Sequence, residues 1–183
     1  MAETILPNCT FSNDRIDRLF IGSMLVDGSP ITYPIEFNTV TGTTDSVIAV
    51  SYDDFNQVFQ IGNQNILVNE IVNTGDNIEF TEVLEYGMQG KIYVKRLRFN
   101  IPNVNLQTTN QIKEFVMTQD GQLALANTIA FMIDENGETL VVGYDKPLIN
   151  RELEIDINDN NQYELFYESK SPSRSRSYEI QNL

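Results

Sequence analysis

The stretch Lys91-Ile-Tyr-Val-Lys-Arg-Leu-Arg-Phe-Asn-Ile101 decides the fold class that we assign to this chain, and it carries four of the twelve basic residues. The apolar alternation of its first half ends at Val94 and resumes one step out of phase at Leu97. A β-strand has a period of two residues, so the odd step predicts one inserted residue, a β-bulge at Lys95 and Arg96. The pattern therefore predicts a strand with one apolar face directed into a core.

The same strand predicts a basic stripe on the face opposite the core. A bulge would leave Lys91, Arg96 and Arg98 on that face, with Lys95 in the bulge beside them. The rest of the chain is acidic, and the formal net charge is −14. Because surfaces of opposite charge attract, the stripe predicts contact with an acidic protein surface.

The other segments of the chain predict an all-β fold. About ten short apolar runs are separated by turn residues, and this spacing is typical of an antiparallel β-sandwich or a partly closed barrel. One short helix is predicted near residues 53–60, because Phe55, Val58 and Phe59 have the i, i+3, i+4 spacing of a helical face.

The length of 183 residues suits one domain. We expect an irregular N-terminal arm over residues 1–14 and a single β-sandwich domain over residues 15–168. Residues 169–183 are rich in Ser, Pro and Arg at their start, and they predict a C-terminal tail that is loose until it docks. We expect Arg174 and Arg176 of this tail to lie on an acidic neighbouring subunit.

The amino-acid composition argues against most common kinds of catalytic site. The chain has no histidine, no tryptophan and one cysteine. The commonest general base and zinc ligand is therefore missing, and no internal disulfide can form. We expect a protein that is not an enzyme, with no catalytic residue, no cofactor and no metal site. The turn at residues 156–160 departs from the calcium-loop template because Asn161 stands where glycine is needed.

The net charge also limits the kinds of partner that the chain is expected to bind. A net charge of −14 disfavours specific binding to nucleic acid, because phosphates are bound by clustered positive charge. It disfavours an anionic membrane surface for the same reason. No apolar run approaches the roughly 18 residues that a membrane helix requires, and the N-terminus lacks the pattern of a secretory signal.

The last predicted hairpin has an acidic face with three interpretations. Carboxylate pairs perform acid–base catalysis in glycoside cleavage, which would make the chain a hydrolase. An acidic face is also the ordinary solvated side of a sheet. Thirdly, it complements the basic stripe, which suits contact between subunits; alternatively, the stripe is neutralised within its own sheet. The residues are Glu152, Glu154 and Asp156 on one strand, and Glu164 and Glu168 on the other.

Three segments of the last third carry a resemblance to a known class. They are Ile129-Ala-Phe-Met-Ile-Asp-Glu-Asn-Gly-Glu-Thr139, Val142-Gly-Tyr-Asp-Lys-Pro-Leu148 and Asn160-Asn-Gln-Tyr-Glu-Leu-Phe166. This series resembles the C-terminal strand–turn–strand region of small all-β tail and head subunits of bacteriophage virions. The resemblance implies a non-enzymatic ring or shell subunit of a virion, assembled in the host cytoplasm with copies of itself and with other virion proteins.

Within that class a tail-tube or tail-ring subunit is the preferred hypothesis. An acidic lumen repels DNA and lets it slide, so contact with packaged DNA would be passive. A capsid decoration or auxiliary protein is one alternative. A carbohydrate-binding or adhesive β-module is another, based on the predicted exposure of Tyr86 and Tyr144, although the lack of tryptophan weakens it.

Overall fold

The computed structural model of the chain describes residues 16–35, 50–72, 77–87, 90–102, 127–134, 138–156, 162–173 and 175–182. These residues form eleven β-strands and contain no helix, which confirms the predicted all-β class. The strands are β1 Ile16–Leu25, β2 Val50–Asp53, β3 Val58–Ile61, β4 Gln64–Val72, β5 Ile78–Gly87, β6 Gly90–Pro102, β7 Ile129–Asp134, β8 Glu138–Val142, β9 Ile149–Asp156, β10 Gln162–Ser171 and β11 Arg176–Asn182.

Seven of the strands close into a barrel, in the order β1-β4-β3-β2-β11-β8-β7 with β7 paired back to β1. All neighbours are antiparallel except β2 and β11, which are parallel. Strand directions can alternate around a closed ring only when the number of strands is even. A ring of seven therefore requires a parallel pair, and the C-terminal strand supplies it.

The other four strands form a separate antiparallel sheet in the order β5-β6-β10-β9. The chain passes between barrel and sheet four times, in the connections β4–β5, β6–β7, β8–β9 and β10–β11. Two of these connections, β8–β9 over residues 143–148 and β10–β11 over residues 172–175, each place a side chain against the β5–β6 pair: Asp145 contacts Lys95, and Ser175 contacts Glu82.

Aromatic residues fill the barrel interior. The ring of Phe59 stacks on that of Phe131 with a centroid distance of 4.0 Å, and on that of Tyr52 at 4.4 Å. Phe20 meets both Tyr52 and Phe59 with tilted rings. Such pairs contribute beyond the area they bury, so this cluster is the centre of the first core.

A second core lies between the outer wall of the barrel and the inner face of the four-stranded sheet. Leu19 and Met132 of the barrel belong to it, together with Leu97 and Leu165 of the sheet. Strand β7 takes part in both cores, and all six of its residues are buried. Its unbroken apolar run is typical of a strand that is covered on both faces.

The predicted helix over residues 53–60 is wrong. Asp53 ends β2, and its carboxylate accepts hydrogen bonds from the backbone N–H groups of Phe55 and Asn56 at 3.0 and 3.1 Å. Asp side chains commonly close turns in this way, and the result is a β2–β3 hairpin. Phe55, expected on a buried helical face, is 94% exposed, whereas Phe59 enters the barrel core.

The C-terminal segment contains more regular structure than the sequence predicted. The boundary at residue 168 falls inside β10, and residues 176–182, expected in a loose tail, form β11 between β2 and β8. A Ser- and Arg-rich sequence with few apolar residues gave no signal of a barrel strand. The predicted arm over residues 1–14 lies outside the described residues.

We expect the barrel to fail without its closing strand. A chain that ends at Ser173 leaves β2 and β8 with unpaired edges and opens the barrel core to water. It should lose the cooperative urea unfolding transition and the near-ultraviolet circular dichroism of the full chain. Removal of Leu183 alone is the matched control, because this residue follows β11. A truncated chain with the unfolding midpoint of the full protein would contradict the role of β11.

Candidate functional site

Strand β6 has no bulge, so the predicted position of Lys95 is wrong. The register of β6 with both neighbours runs without a shift through Lys95 and Arg96. Lys95 lies on the inner face with Leu97 and Phe99 and is 0% exposed. The out-of-phase step in the sequence arises because Ile92 and Val94 share the face of Arg96 and Arg98, whereas Lys95 shares the face of Leu97 and Phe99. Lysine is almost never fully buried unless it is paired, and the partner is not near in sequence.

The partner of Lys95 is Asp145, in the β8–β9 connection. The ammonium Nζ lies 3.5 Å from the carboxylate Oδ1, and 5.5 Å from the centroid of the Tyr144 ring. Burial lowers the pKa of Lys95, while the negative charges of Asp145 and Glu82 act in the opposite direction. The charged form of Lys95 is therefore disfavoured by burial and stabilised by the negative charges of Asp145 and Glu82.

Asp145 is held from its other side by Ser171. Burial alone would raise the pKa of Asp145, but the hydrogen bond from Ser171 and the charge of Lys95 outweigh it, and the pKa lies below its ordinary value. The Ser171 hydroxyl donates to Oδ2 of Asp145. Lys95 itself stands directly opposite Glu82 in the β5–β6 ladder.

Further hydrogen bonds extend this cluster to the β10–β11 connection. Both the backbone N–H and the hydroxyl of Ser175 donate to Oε2 of Glu82 at 2.7 Å. The hydroxyl of Ser169 donates to the carbonyl oxygen of Lys146 at 2.9 Å. We call Lys95, Glu82, Asp145, Ser171 and Ser175 the buried polar cluster. It joins the two connections to the sheet at one place.

The outer face of the four-stranded sheet carries the arginines of the predicted stripe. Arg96 Nε lies 3.3 Å from Oε2 of Glu168, and Arg98 Nε lies 3.2 Å from Oε1 of Glu164. The Arg98 guanidinium also lies 5.4 Å from the centroid of the Phe166 ring. Both carboxylates belong to β10, which is the strand next to β6. The two arginines are therefore neutralised within their own sheet, which was one of the two alternatives.

A shallow groove of about 380 Å³ lies on this outer face. Its walls combine two arginines, one carboxylate, one hydroxyl and one aromatic ring. The arginines already have carboxylate partners, so the groove presents mixed charge rather than an anion site. The lining residues are Glu79, Thr81, Arg96, Arg98 and Phe166.

The remaining predicted interface residues are distributed over β6, β9 and β11, apart from Arg174. Lys91 is exposed at the start of β6. Glu152 and Glu154 pair in register with Phe166 and Glu164, and Asp156 pairs with Gln162. Arg176 is in the barrel strand β11, opposite Val141, and Arg174 lies outside the described residues.

The sequence left two other functions open, a hydrolase and a carbohydrate-binding module. The structure has only some of the features on which they were based. Glu164 and Glu168, proposed for a hydrolase, are each engaged by an arginine. Tyr144, expected to be exposed for sugar stacking, is 4% exposed and belongs to the barrel core, so that prediction is wrong. Tyr86 is 76% exposed.

Comparison with known proteins yields no relative: no protein-family model, no curated protein and no solved structure matches the chain. None of the described residues belongs to a helix long and apolar enough to span a membrane. In the described ranges no group of three or more Cys, Asp or Glu side chains is arranged to hold a metal ion. The predicted turns at residues 134–138 and 156–160 lie largely outside those ranges.

Replacing Lys95 by methionine should destabilise the fold. Methionine keeps the apolar stem but leaves Asp145 without its countercharge, and breaking a buried ion pair in this way typically costs about 3–5 kcal/mol. Urea unfolding at neutral pH measures the loss. Lys91→Met is the matched control, because Lys91 is exposed on the same strand, and its effect should stay within about 0.5 kcal/mol. Equal stabilities of the two variants would contradict the assigned ion pair.

Proposed function

We propose that the chain is a non-enzymatic structural subunit of a phage particle, and that copies of it assemble into a ring or tube of the tail. Two observations support this proposal. One is the resemblance of residues 129–139, 142–148 and 160–166 to virion subunits, and the other is that, among the described strands, β5 and β9 each pair on one side only. The two edges are the observation on which the proposal chiefly rests, because they are seen in the structure of this chain and do not depend on a resemblance to other proteins.

The edge at β5 is long and apolar. Among the described residues this ten-residue strand pairs with β6 only. Val83, Leu84 and Tyr86 near its end are 44%, 37% and 76% exposed. A long edge strand with exposed apolar side chains offers unpaired N–H and C=O groups and readily adds another strand. Edge-to-edge pairing is thus available to this surface.

The number of strands in the sheet favours a ring. The four strands alternate in direction, so β5 and β9 run in opposite directions at the two edges. When copies are related by rotation about an axis along the strands, β9 of one copy meets β5 of the next in antiparallel orientation. Such a head-to-tail contact closes into a ring and leaves no edge unpaired.

The outer face of the sheet would then line the ring. The barrel covers the inner face through the second core, so only the outer face is available to the lumen. The carboxylates of Glu79, Glu164 and Glu168 lie on it, and Arg96 and Arg98 are neutralised by two of them. Arginines that are already paired with carboxylates bind DNA phosphates less strongly than free ones, which suits passage of packaged DNA.

The proposal predicts that charge on the β5 edge blocks assembly. Val83→Glu combined with Tyr86→Glu adds carboxylates to the β5 edge, opposite a β9 strand that contains Glu152, Glu154 and Asp156. The double variant should therefore stay monomeric at concentrations at which the parent chain forms rings or tubes. Light scattering and negative-stain electron microscopy give the readout. Unfolding by urea checks that the monomer keeps its stability.

Phe55→Glu is the control, because Phe55 is 94% exposed in the β2–β3 turn of the barrel and lies on neither edge of the sheet. It should assemble as the parent does. A parent chain that stays monomeric, or a double variant that assembles normally, would contradict the proposal.

A further inference from the structure

The buried polar cluster brings an amine and a carboxyl group together, with the amine buried and the carboxyl group partly exposed. Lys95 is fully buried, and its Nζ lies 3.5 Å from Oδ1 of Asp145. Glu82, which stands across the β5–β6 ladder from Lys95, adds a second carboxylate. An ion pair in such a place is expensive, because each buried charge loses several kcal/mol of hydration that the partner must replace.

One reaction removes both charges without any further reagent. We propose that Lys95 and Asp145 condense into an intramolecular isopeptide bond, with Glu82 as the group that transfers the proton. This proposal does not rest on the proposed function.

The chemistry balances with one molecule of water as the only other product. Glu82 accepts a proton from the Lys95 ammonium, and the free amine attacks Cγ of Asp145. A C–N bond forms and the bond from Cγ to Oδ1 breaks. The leaving oxygen departs as water after it receives the proton from Glu82 and the remaining amine proton. A neutral secondary amide replaces the ammonium and the carboxylate.

Each neighbour has a position that suits this step. Burial lowers the pKa of Lys95 and so increases the fraction of nucleophilic free amine. The hydroxyl of Ser171 donates to Oδ2 of Asp145, the oxygen that becomes the amide carbonyl and carries charge in the transition state. The fold holds Nζ of Lys95 3.5 Å from Oδ1 of Asp145, which replaces a bimolecular encounter by an internal one.

The bond would connect the inner face of β6 to the β8–β9 connection. These two residues are 50 positions apart in the chain. A covalent link of this kind restricts the unfolded chain, as a disulfide does, and it needs no cysteine. The single cysteine of this chain leaves no disulfide to serve that purpose.

The intact mass of the folded, purified protein tests the proposal. The parent chain should be lighter than its sequence by one molecule of water. Lys95→Met and Asp145→Ala should show their full sequence masses, and Lys91→Met should keep the deficit. A parent chain that retains its full mass after prolonged incubation in the folded state would overturn the proposal. This readout requires no variant, so it stands even if the variants fold poorly.

Tryptic peptides locate the bond. Trypsin does not cleave after an acylated lysine or before Pro147, so one linked species should join residues 92–96 to residues 114–151. A water deficit found in other peptides would overturn the assignment to this pair.

Glu82→Gln tests the proton transfer. General acid–base groups contribute roughly 100-fold or more in rate, so in the refolded variant the deficit should appear at least about 100-fold more slowly than in the parent. Equal rates would remove Glu82 from the reaction. Glu79→Gln is the matched control, because Glu79 is an exposed residue of the same strand, and it should link at the parental rate.

Discussion

An odd number of strands cannot close a barrel with antiparallel neighbours alone, and this constraint governs the C-terminal half of the chain. The parallel pair of β2 and β11 resolves it. To reach β2, the chain must leave β10 in the sheet and cross to the barrel through residues 172–175. That connection is fastened by Ser175, which donates two hydrogen bonds to Glu82 of the sheet. The buried polar cluster thus lies where the topology obliges the chain to change layers.

Two kinds of charge coexist on β6 and have different consequences. On the outer face, Arg96 and Arg98 pair with β10 at partly exposed positions, where ion pairs contribute little to stability. On the inner face, Lys95 is fully buried and Asp145 is only slightly exposed, so that loss of one partner is costly. The strand that carries the densest positive charge is consequently not a free basic surface. Contact between copies is better served by the sheet edges.

Local patterns predicted much of the fold, and contacts between distant segments account for the rest. Turn residues between apolar runs indicated the all-β class and the β7–β8 and β9–β10 hairpins. The register of β6 on β10 could not be read from the sequence, because those strands are distant in the chain, so the neutralisation of Arg98 by Glu164 stayed an open alternative. Lys95 was misplaced because a lysine was assumed to face water. Its out-of-phase position was the one local signal of a buried carboxylate partner.

Hydrogen–deuterium exchange of the assembled and the dissociated protein tests edge-to-edge assembly most directly. Joined edges predict that assembly protects the amides of β5 and β9 together, because those strands lie at opposite ends of the sheet order. The amides of β6 and β10, already paired on both sides, should exchange as before. Protection of β5 without β9, or protection confined to the barrel strands, would contradict a ring built through the sheet.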